Sequence, residues 1–203
     1  MRKIKKPKLS VKPREIFYCL KRNKKLGDLT EETIEEIAAE VCLDKWFDPG
    51  CVYENISAQE AESLGVSGVG QAVTWAIATL GDHGYEEALK KAKESPTPCH
   101  ADVMWAWGEV MLGKLADFTN NLIGKEAAGE TLEIGPSRTI DLKENRELFD
   151  VAWRKLEPEQ KIGARLVNDP LDGSVRISPA MSRVWAVPWL TKKEKKQLAL
   201  QGN

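Results

Sequence analysis

Alternating apolar and polar side chains mark a β-ribbon near the end of the chain. Residues 162–187 contain three short runs with the two-residue period of a strand, and Asp172-Gly173 between the first two favours hairpin geometry. The three runs are ARLVN, SVRIS and, after Pro179, SRVWAV. The pattern predicts three strands, which either only close a core or also form one wall of a binding site.

Helical periodicity dominates most of the remaining sequence. Apolar residues recur at i, i+3, i+4 and i+7 between Ile34 and Val41, after Thr30, which is placed to cap the helix. The longest apolar stripe extends from residue 100 to about 124 and predicts the longest helix. Further helices are expected over 12–22, from Ser57, from Asp82 to the breaker at 95–98, from Asp141 through about 155, and after Thr191.

Two earlier segments predict strands of the same core. Residues 51–57 form one, and the continuous apolar run at 72–80 is typical of a buried strand. A short strand is expected within 129–140, before a Gly-Pro loop. This order indicates a single α+β domain with a mixed or antiparallel sheet and packed helices. The expected divisions are a basic flexible tail (1–12), the domain (13–190) and a charged C-terminal helix or tail (191–203).

Charge is distributed unevenly along the 203 residues, although the net charge is only −1. Residues 1–25 carry eleven Lys and Arg against the single Glu15. A basic arm on an acidic body can indicate contact with nucleic acid. We favour a solvated tail, because chain ends are usually mobile, and do not expect nucleic acid as the partner.

Composition also suggests where the protein works. No signal-peptide pattern and no run of about 18 apolar residues is visible, so we expect neither secretion nor a membrane span. Four cysteines without C-x-x-C pairing fit free thiols better than a disulfide framework. We therefore expect a cytoplasmic protein with no membrane partner.

Motifs for catalysis are weak. Only His83 and His100 are present, and the cysteines match no zinc spacing, so we expect no metal site. The neighbours Cys99 and His100 do not by themselves establish a catalytic dyad. Glycines within 65–71 precede a predicted strand, whereas a phosphate-binding loop follows one, so they indicate a flexible turn.

Seven tryptophans are the unusual feature of the composition. Core packing is the simplest interpretation, because an indole ring buries a large area. Trp185 and Trp189 flank Pro188, and this position leaves one of them free to be partly exposed along a groove.

The order of four segments resembles the activation domain of vitamin B12-dependent methionine synthase and its stand-alone relatives. The similar stretches cover most of residues 11–187: VKPREIFYCLKRNKKLGDLTEETIEEIAAEV, AIATLGDHGYEEAL, HADVMWAWGEVMLGKLADFTNNLIGKEA, and EIGPSRTIDLKENRELFD with the ribbon. The resemblance implies a C-shaped α+β scaffold that binds S-adenosylmethionine and presents its methyl group to a corrinoid, reactivating oxidised cobalt. It also implies cobalamin carried by a partner, either a corrinoid-binding protein or a methyltransferase.

The sequence departs from the family's ligand loop, Arg-x-x-x-Gly-Tyr-Pro-Ala-Cys-Pro. If Gly135 is its glycine, Thr131 replaces the arginine and Pro136 the tyrosine. In the ribbon, the family's Thr-Glu-Ser becomes Val167, Asn168 and Asp169. Losing an arginine clamp removes a charge-assisted contact to a carboxylate.

The resemblance nevertheless implies a contact surface that combines the loop with the ribbon. Its residues are Gly135, Pro136, Ser137, Arg138, Asn168, Asp169 and Ser182. Ordinary turn chemistry is an alternative explanation for each of them. For the whole chain, the alternative is a non-enzymatic protein-interaction module that kept the scaffold and lost the ligand site.

Overall fold

The computed structural model describes residues 1–41, 43–64, 70–94, 99–169 and 173–201, except the side chains of residues 43, 44 and 201. The helices are α1 (Pro13–Arg22), α2 (Glu31–Val41), α3 (Ala58–Ser63), α4 (Tyr85–Glu94), α5 (Cys99–Gly129), α6 (Arg146–Leu156), α7 (Pro158–Ile162) and α8 (Lys192–Gln201). The strands are β1 (Arg2–Lys5), β2 (Gly50–Ser57), β3 (Ala72–Thr79), β4 (Glu133–Ile134), β5 (Arg138–Thr139), β6 (Arg165–Asn168), β7 (Val175–Ser178) and β8 (Ser182–Leu190).

A curled antiparallel sheet forms the centre of the domain. Its strand order is β1-β2-β3-β8-β4, and β5 also pairs with β8. The strands β2 and β3 pair over their whole length, from Gly50 opposite Thr79 to Ser57 opposite Ala72. The prediction of a single α+β domain with a mixed or antiparallel sheet and packed helices is confirmed, and the sheet is antiparallel.

Helices cover both faces of this sheet. One face packs against α1, α2, α4 and α5, and the other packs against α3, α6 and α7. On β8, Trp185 and Val187 point into the first core, while Val184 and Ala186 point into the second. Alternate side chains of a central strand therefore enter different cores. Because both faces are covered, the central strands have few polar side chains.

Two of the capping residues that the sequence predicts at helix N-termini are confirmed. The Thr30 hydroxyl accepts a hydrogen bond from the Thr33 N–H at 3.2 Å, which caps α2. At α8, the Thr191 N–H donates to Glu194 at 2.6 Å and the Glu194 N–H donates back to the Thr191 hydroxyl at 3.3 Å. Both helices begin where the capping residues predicted.

Helix α6 begins later than expected. The Asp141 carboxylate accepts hydrogen bonds from the N–H groups of Lys143 (2.7 Å) and Glu144 (3.3 Å), which closes a separate turn. The actual cap is Asn145, whose side chain accepts a hydrogen bond from the Leu148 N–H at 3.1 Å. The sequence therefore contains two possible capping residues close together, and the second, Asn145, begins the helix.

Several elements differ from the sequence-based expectation. Residues 2–5, placed in a flexible tail, form strand β1 against β2. The helix expected to end near residue 124 continues to Gly129, and α7 and β5 are additional. The ribbon is a separate two-stranded sheet of β6 and β7, because the run expected as its third strand, β8, lies in the large sheet.

Some expectations fall outside the described residues. These are most of the hairpin turn at 170–172, the glycine segment at 65–69, the helix breaker at 95–98, and Cys42. The remaining cysteines, Cys19, Cys51 and Cys99, are free thiols.

Trp185 and Trp189 are both buried, each with 2% of its surface exposed, so the expectation that one of them lines a groove is wrong. Each indole N–H has a partner inside the protein: Trp185 donates to Asn120 at 2.9 Å and Trp189 to Thr74 at 2.8 Å. Burial of these polar atoms is tolerated because both are hydrogen-bonded.

Candidate functional site

The predicted ligand loop lies along one half of β8. The Gly135 N–H donates to the Pro188 carbonyl at 2.8 Å, and a Cβ added to Gly135 would approach Pro188 Cγ to 2.9 Å. Arg138 lies opposite Ala186 in β5, and its side chain is exposed, as are Pro136 and Ser137. Close packing against Pro188 therefore explains why position 135 is a glycine, without any role in ligand binding.

Ser182 lies at the opposite end of β8. Its hydroxyl donates to the Pro179 carbonyl at 2.7 Å and is 2.8 Å from the Thr79 hydroxyl. Ser182 and Pro188 are six positions apart along the strand, which corresponds to about 20 Å. The structure therefore does not bring Gly135 and Ser182 into one contact patch, and the role of each in binding stays a prediction.

Asn168 ends β6, the first strand of the ribbon, and Asp169 follows it in an ion-pair cluster that fixes the ribbon to the domain. Asn168 is exposed, whereas Asp169 lies 3.6 Å from Arg176. Arg176 also lies 3.6 Å from Glu86 at the start of α4, and Glu86 accepts a hydrogen bond from the Ala180 N–H at 2.7 Å. This cluster holds the ribbon beside the start of β8.

A cleft of about 380 Å³ opens beside the ribbon. One wall is strand β7, the opposite wall is the segment 139–143 that continues from the loop, and the floor is the start of β8. Of the predicted site residues, Ser182 lines it directly, while Arg138 immediately precedes its wall. The lining residues are Thr139, Ile140, Asp141, Leu142, Lys143, Val175, Arg176, Ile177, Ala180, Ser182, Arg183 and Val184.

Charges of both signs meet apolar surface in this cleft. Asp141 and Lys143 are exposed at its rim, and among the described residues neither has an ion-pair partner within 4.0 Å. Arg183 pairs with Glu109 of α5 at 4.0 Å, on the opposite face of the sheet from Val184, so its charge is directed away from the cleft. The half-buried apolar side chains of the lining are Leu142, Val175 and Ile177. An arrangement of one anion, one unpaired cation and apolar side chains matches a zwitterionic ligand with an apolar body.

Sequence analysis missed these charged residues. Asp141 was interpreted only as a helix cap, and the structure shows that its carboxylate closes a turn at the rim of the cleft. Lys143 belongs to no motif, and it reaches the cleft only because the segment 139–143 lies beside β8. The pattern of the sequence contains no signal for that convergence.

A second polar centre lies on the other side of the sheet, around Glu126 of α5. Its carboxylate accepts from the Tyr53 hydroxyl (2.8 Å) and the Asn55 amide (2.9 Å), and Arg2 lies 2.7 Å away. Burial, and then the Glu126 carboxylate, raise the pKa of Tyr53. An adjoining cleft of about 440 Å³ is larger, but its carboxylate already has three partners within the chain. We therefore regard this centre as structural.

Two kinds of feature are absent from the described part of the chain. Within those ranges, no group of three or more His, Cys, Asp or Glu side chains is arranged to hold a metal ion. No helix that the structure describes has the length and apolar character needed to cross a bilayer.

Comparison with known proteins provides no family assignment. No protein-family model matches the chain, and no curated protein is significantly similar to it in sequence.

Proposed function

We propose that the protein is a corrinoid-associated module, similar in role to the methionine synthase activation domain, which supports methyl transfer to a B12-bearing protein or its reactivation. Its partner would be a corrinoid-binding protein or a methyltransferase in the cytoplasm. The main support is the cleft, in which the ribbon and the segment after the predicted ligand loop face each other around charges of both signs. A C-shaped scaffold that holds this cleft towards the partner is part of the proposal.

S-adenosylmethionine is the ligand we propose for the cleft. Its amino acid end carries an ammonium group, which fits Asp141, and a carboxylate, which fits Lys143. The adenine ring would lie on the half-buried apolar side chains of Leu142, Val175 and Ile177. This arrangement replaces the family's arginine, whose position is Thr131 here, with a lysine from another segment.

The chain itself would act by placement. S-adenosylmethionine supplies the methyl group, and the cobalamin of the partner accepts it. Lys143 would fix the carboxylate, and the walls of the cleft would hold the reacting end in a constant orientation.

Isothermal titration calorimetry with S-adenosylmethionine tests the ligand. We expect saturable binding that weakens about tenfold or more in Lys143→Met, because a charge-assisted hydrogen bond contributes roughly 1.5–3 kcal/mol. Lys93→Met, at an exposed lysine at the end of α4, is the matched control and should bind as the unaltered chain does. Equal weakening in both variants would mean that only the net charge of the protein matters, and it would exclude the cleft as the binding site.

The alternative function, a protein-interaction module without a ligand, makes the opposite prediction. The loss of the family's arginine and tyrosine at Thr131 and Pro136 favours it. In that case no saturable heat would appear even at millimolar S-adenosylmethionine.

Partner binding is tested separately, by pull-down with a corrinoid-loaded protein. We expect retention of the corrinoid protein and a shift in the cobalamin absorption spectrum on complex formation. Retention without a spectral shift supports docking away from the corrinoid, and no retention contradicts the proposed association.

A further inference from the structure

Strand β1 lies at one edge of the large sheet, and one side of its backbone faces no other strand. The sheet order places β1 outermost, beside β2. The Lys6 N–H donates to the Pro49 carbonyl at 2.8 Å, which continues the register of the two strands by one residue. Hydrogen-bonded residues alternate along an antiparallel pair, so Ile4 also bonds to β2, whereas the N–H and C=O groups of Lys3 and Lys5 point away from it. Within the described residues, no hydrogen bond reaches these outward groups.

The side chains along this edge are basic. Lys3 and Lys5 are exposed on the same face of β1, and among the described residues neither has an ion-pair partner within 4.0 Å. Desolvation, and then the charges of Lys5 and Lys161, lower the pKa of Lys3. Like charges are therefore crowded at this edge, and carboxylates brought beside them would relieve the repulsion.

A cleft of about 440 Å³ lies along the other face of the same edge, between β1 and α5. Half-buried Ile4 and Leu122 line it, and Lys125 is exposed at its rim. Glu126 is the one acid among the described residues of the lining, and Arg2 at 2.7 Å already compensates its charge. The cleft can therefore receive an apolar side chain from a strand placed beside β1.

A second copy of β1 is a poor occupant of this edge. Pairing β1 with itself would place lysines beside lysines of the other copy, and like charges on neighbouring strands repel. Lysines on edge strands commonly prevent such self-association. The same charges attract a strand of opposite charge, so they select among partners instead of excluding all of them.

We propose that β1 binds an extended acidic segment of another protein by strand addition, so that the segment becomes a further strand of the large sheet. Its backbone would bond to the outward N–H and C=O groups of Lys3 and Lys5. Its acidic side chains would lie beside these lysines on one face, and the alternate side chains, which are apolar, would enter the cleft beside Ile4. This cleft shares no described lining residue with the cleft beside the ribbon, so the inference is independent of the proposed function.

The probe is a fluorescein-labelled peptide of alternating glutamate and valine, titrated with the full chain and followed by fluorescence anisotropy. We expect saturable binding that weakens about tenfold or more in the double variant Lys3→Glu, Lys5→Glu, because attraction between neighbouring strands becomes repulsion. The matched control is Lys90→Glu, Lys93→Glu, at two exposed lysines of α4, which changes the net charge equally. At about 0.15 M salt, where charges more than about 8 Å apart are largely screened, the control should bind as the parent does.

Amide hydrogen exchange of the unaltered protein, followed by NMR, tests the geometry without any substitution. The amides of Lys3 and Lys5 should exchange quickly in the free chain and about tenfold or more slowly at saturating peptide, because they gain acceptors. The amide of Ile4 is already bonded to β2, so it is the internal reference and should change less. The same peptide with all its backbone nitrogens methylated keeps its charges but has no N–H to donate, and it should bind about tenfold or more weakly.

Several results would overturn the proposal. The first two are equal binding of the peptide by the parent and the Lys3→Glu, Lys5→Glu variant, and undiminished binding of the methylated peptide. Unchanged exchange at Lys3 and Lys5 in the saturated complex would mean that the peptide binds elsewhere, and the absence of saturable binding would leave the lysines only as protection of the edge. Tighter binding of a single-stranded oligonucleotide that displaces the peptide would assign the basic edge to nucleic acid instead. The exchange measurement uses the unaltered chain, so it remains decisive if the double variant fails to fold.

Discussion

Thr74 offers the sharpest test of how the core tolerates polar groups. It is fully buried in β3, where its hydroxyl accepts from the Trp189 indole N–H at 2.8 Å and donates to the Asn55 side-chain oxygen at 2.7 Å. Asn55 in turn donates to Glu126 at 2.9 Å. Thr74→Val keeps the shape of the side chain and removes both of its hydrogen bonds.

The cost of this change is set mainly by Trp189. Asn55 is exposed, so water can replace the lost donor, whereas Trp189 is 2% exposed and its N–H would have no partner. An orphaned buried donor costs roughly 1–3 kcal/mol, and the added methyl group recovers part of that. We expect a net loss of about 1–2 kcal/mol in the free energy of unfolding.

Urea denaturation followed by far-UV circular dichroism measures the effect. With a slope of roughly 2 kcal/mol/M, the midpoint should fall by about 0.5–1 M. The control is a double-mutant cycle with Trp189→Phe, which has no N–H to orphan, so Thr74→Val should cost little in that background. Equal destabilisation in both backgrounds would refute the reasoning.

Two further predictions concern a packed glycine and a surface ion pair. Gly135→Ala should lower the free energy of unfolding by about 1–3 kcal/mol, because the added Cβ would overlap the ring of Pro188. Gly113→Ala on α5, with open space around it, should raise the free energy of unfolding by about 0.5–1 kcal/mol. The urea midpoints of the two variants measure both changes. Burial is the largest single influence on Glu15 and raises its pKa, but the Lys114 ammonium at 2.8 Å and the Lys12 backbone N–H together lower the pKa more, so the net pKa lies below the ordinary value. The ion pair of Glu15 with Lys114 is partly exposed and should stabilise the folded state by under about 1 kcal/mol. This stabilisation should be present above pH 5 and disappear as the pH falls through the lowered pKa of Glu15. A difference between the parent and Glu15→Gln that grows towards acid pH would contradict this sign.

Local sequence signals were sufficient where one short segment decides the outcome. The periodicity between Ile34 and Val41, the apolar run at 72–80, and the Thr191–Glu194 capping box each predicted the correct element. In each case the interactions that matter join residues within a few positions of one another, or follow from the burial of a continuous apolar segment. The single α+β domain followed from the order of such segments.

The tertiary structure decided what depends on distant partners. Strand β1 has a basic sequence with little strand preference of its own, and it forms because β2 offers an edge and Glu126 pairs with Arg2. The same dependence separates Gly135 from Ser182 at opposite ends of β8 and brings the segment 139–143 and strand β7 to one cleft.

The sequence by itself determined most of the helices, the central strands and the class of the fold, because their causes are local or periodic. Only the tertiary structure decided which segments share a cleft, since such meetings depend on how separate elements pack.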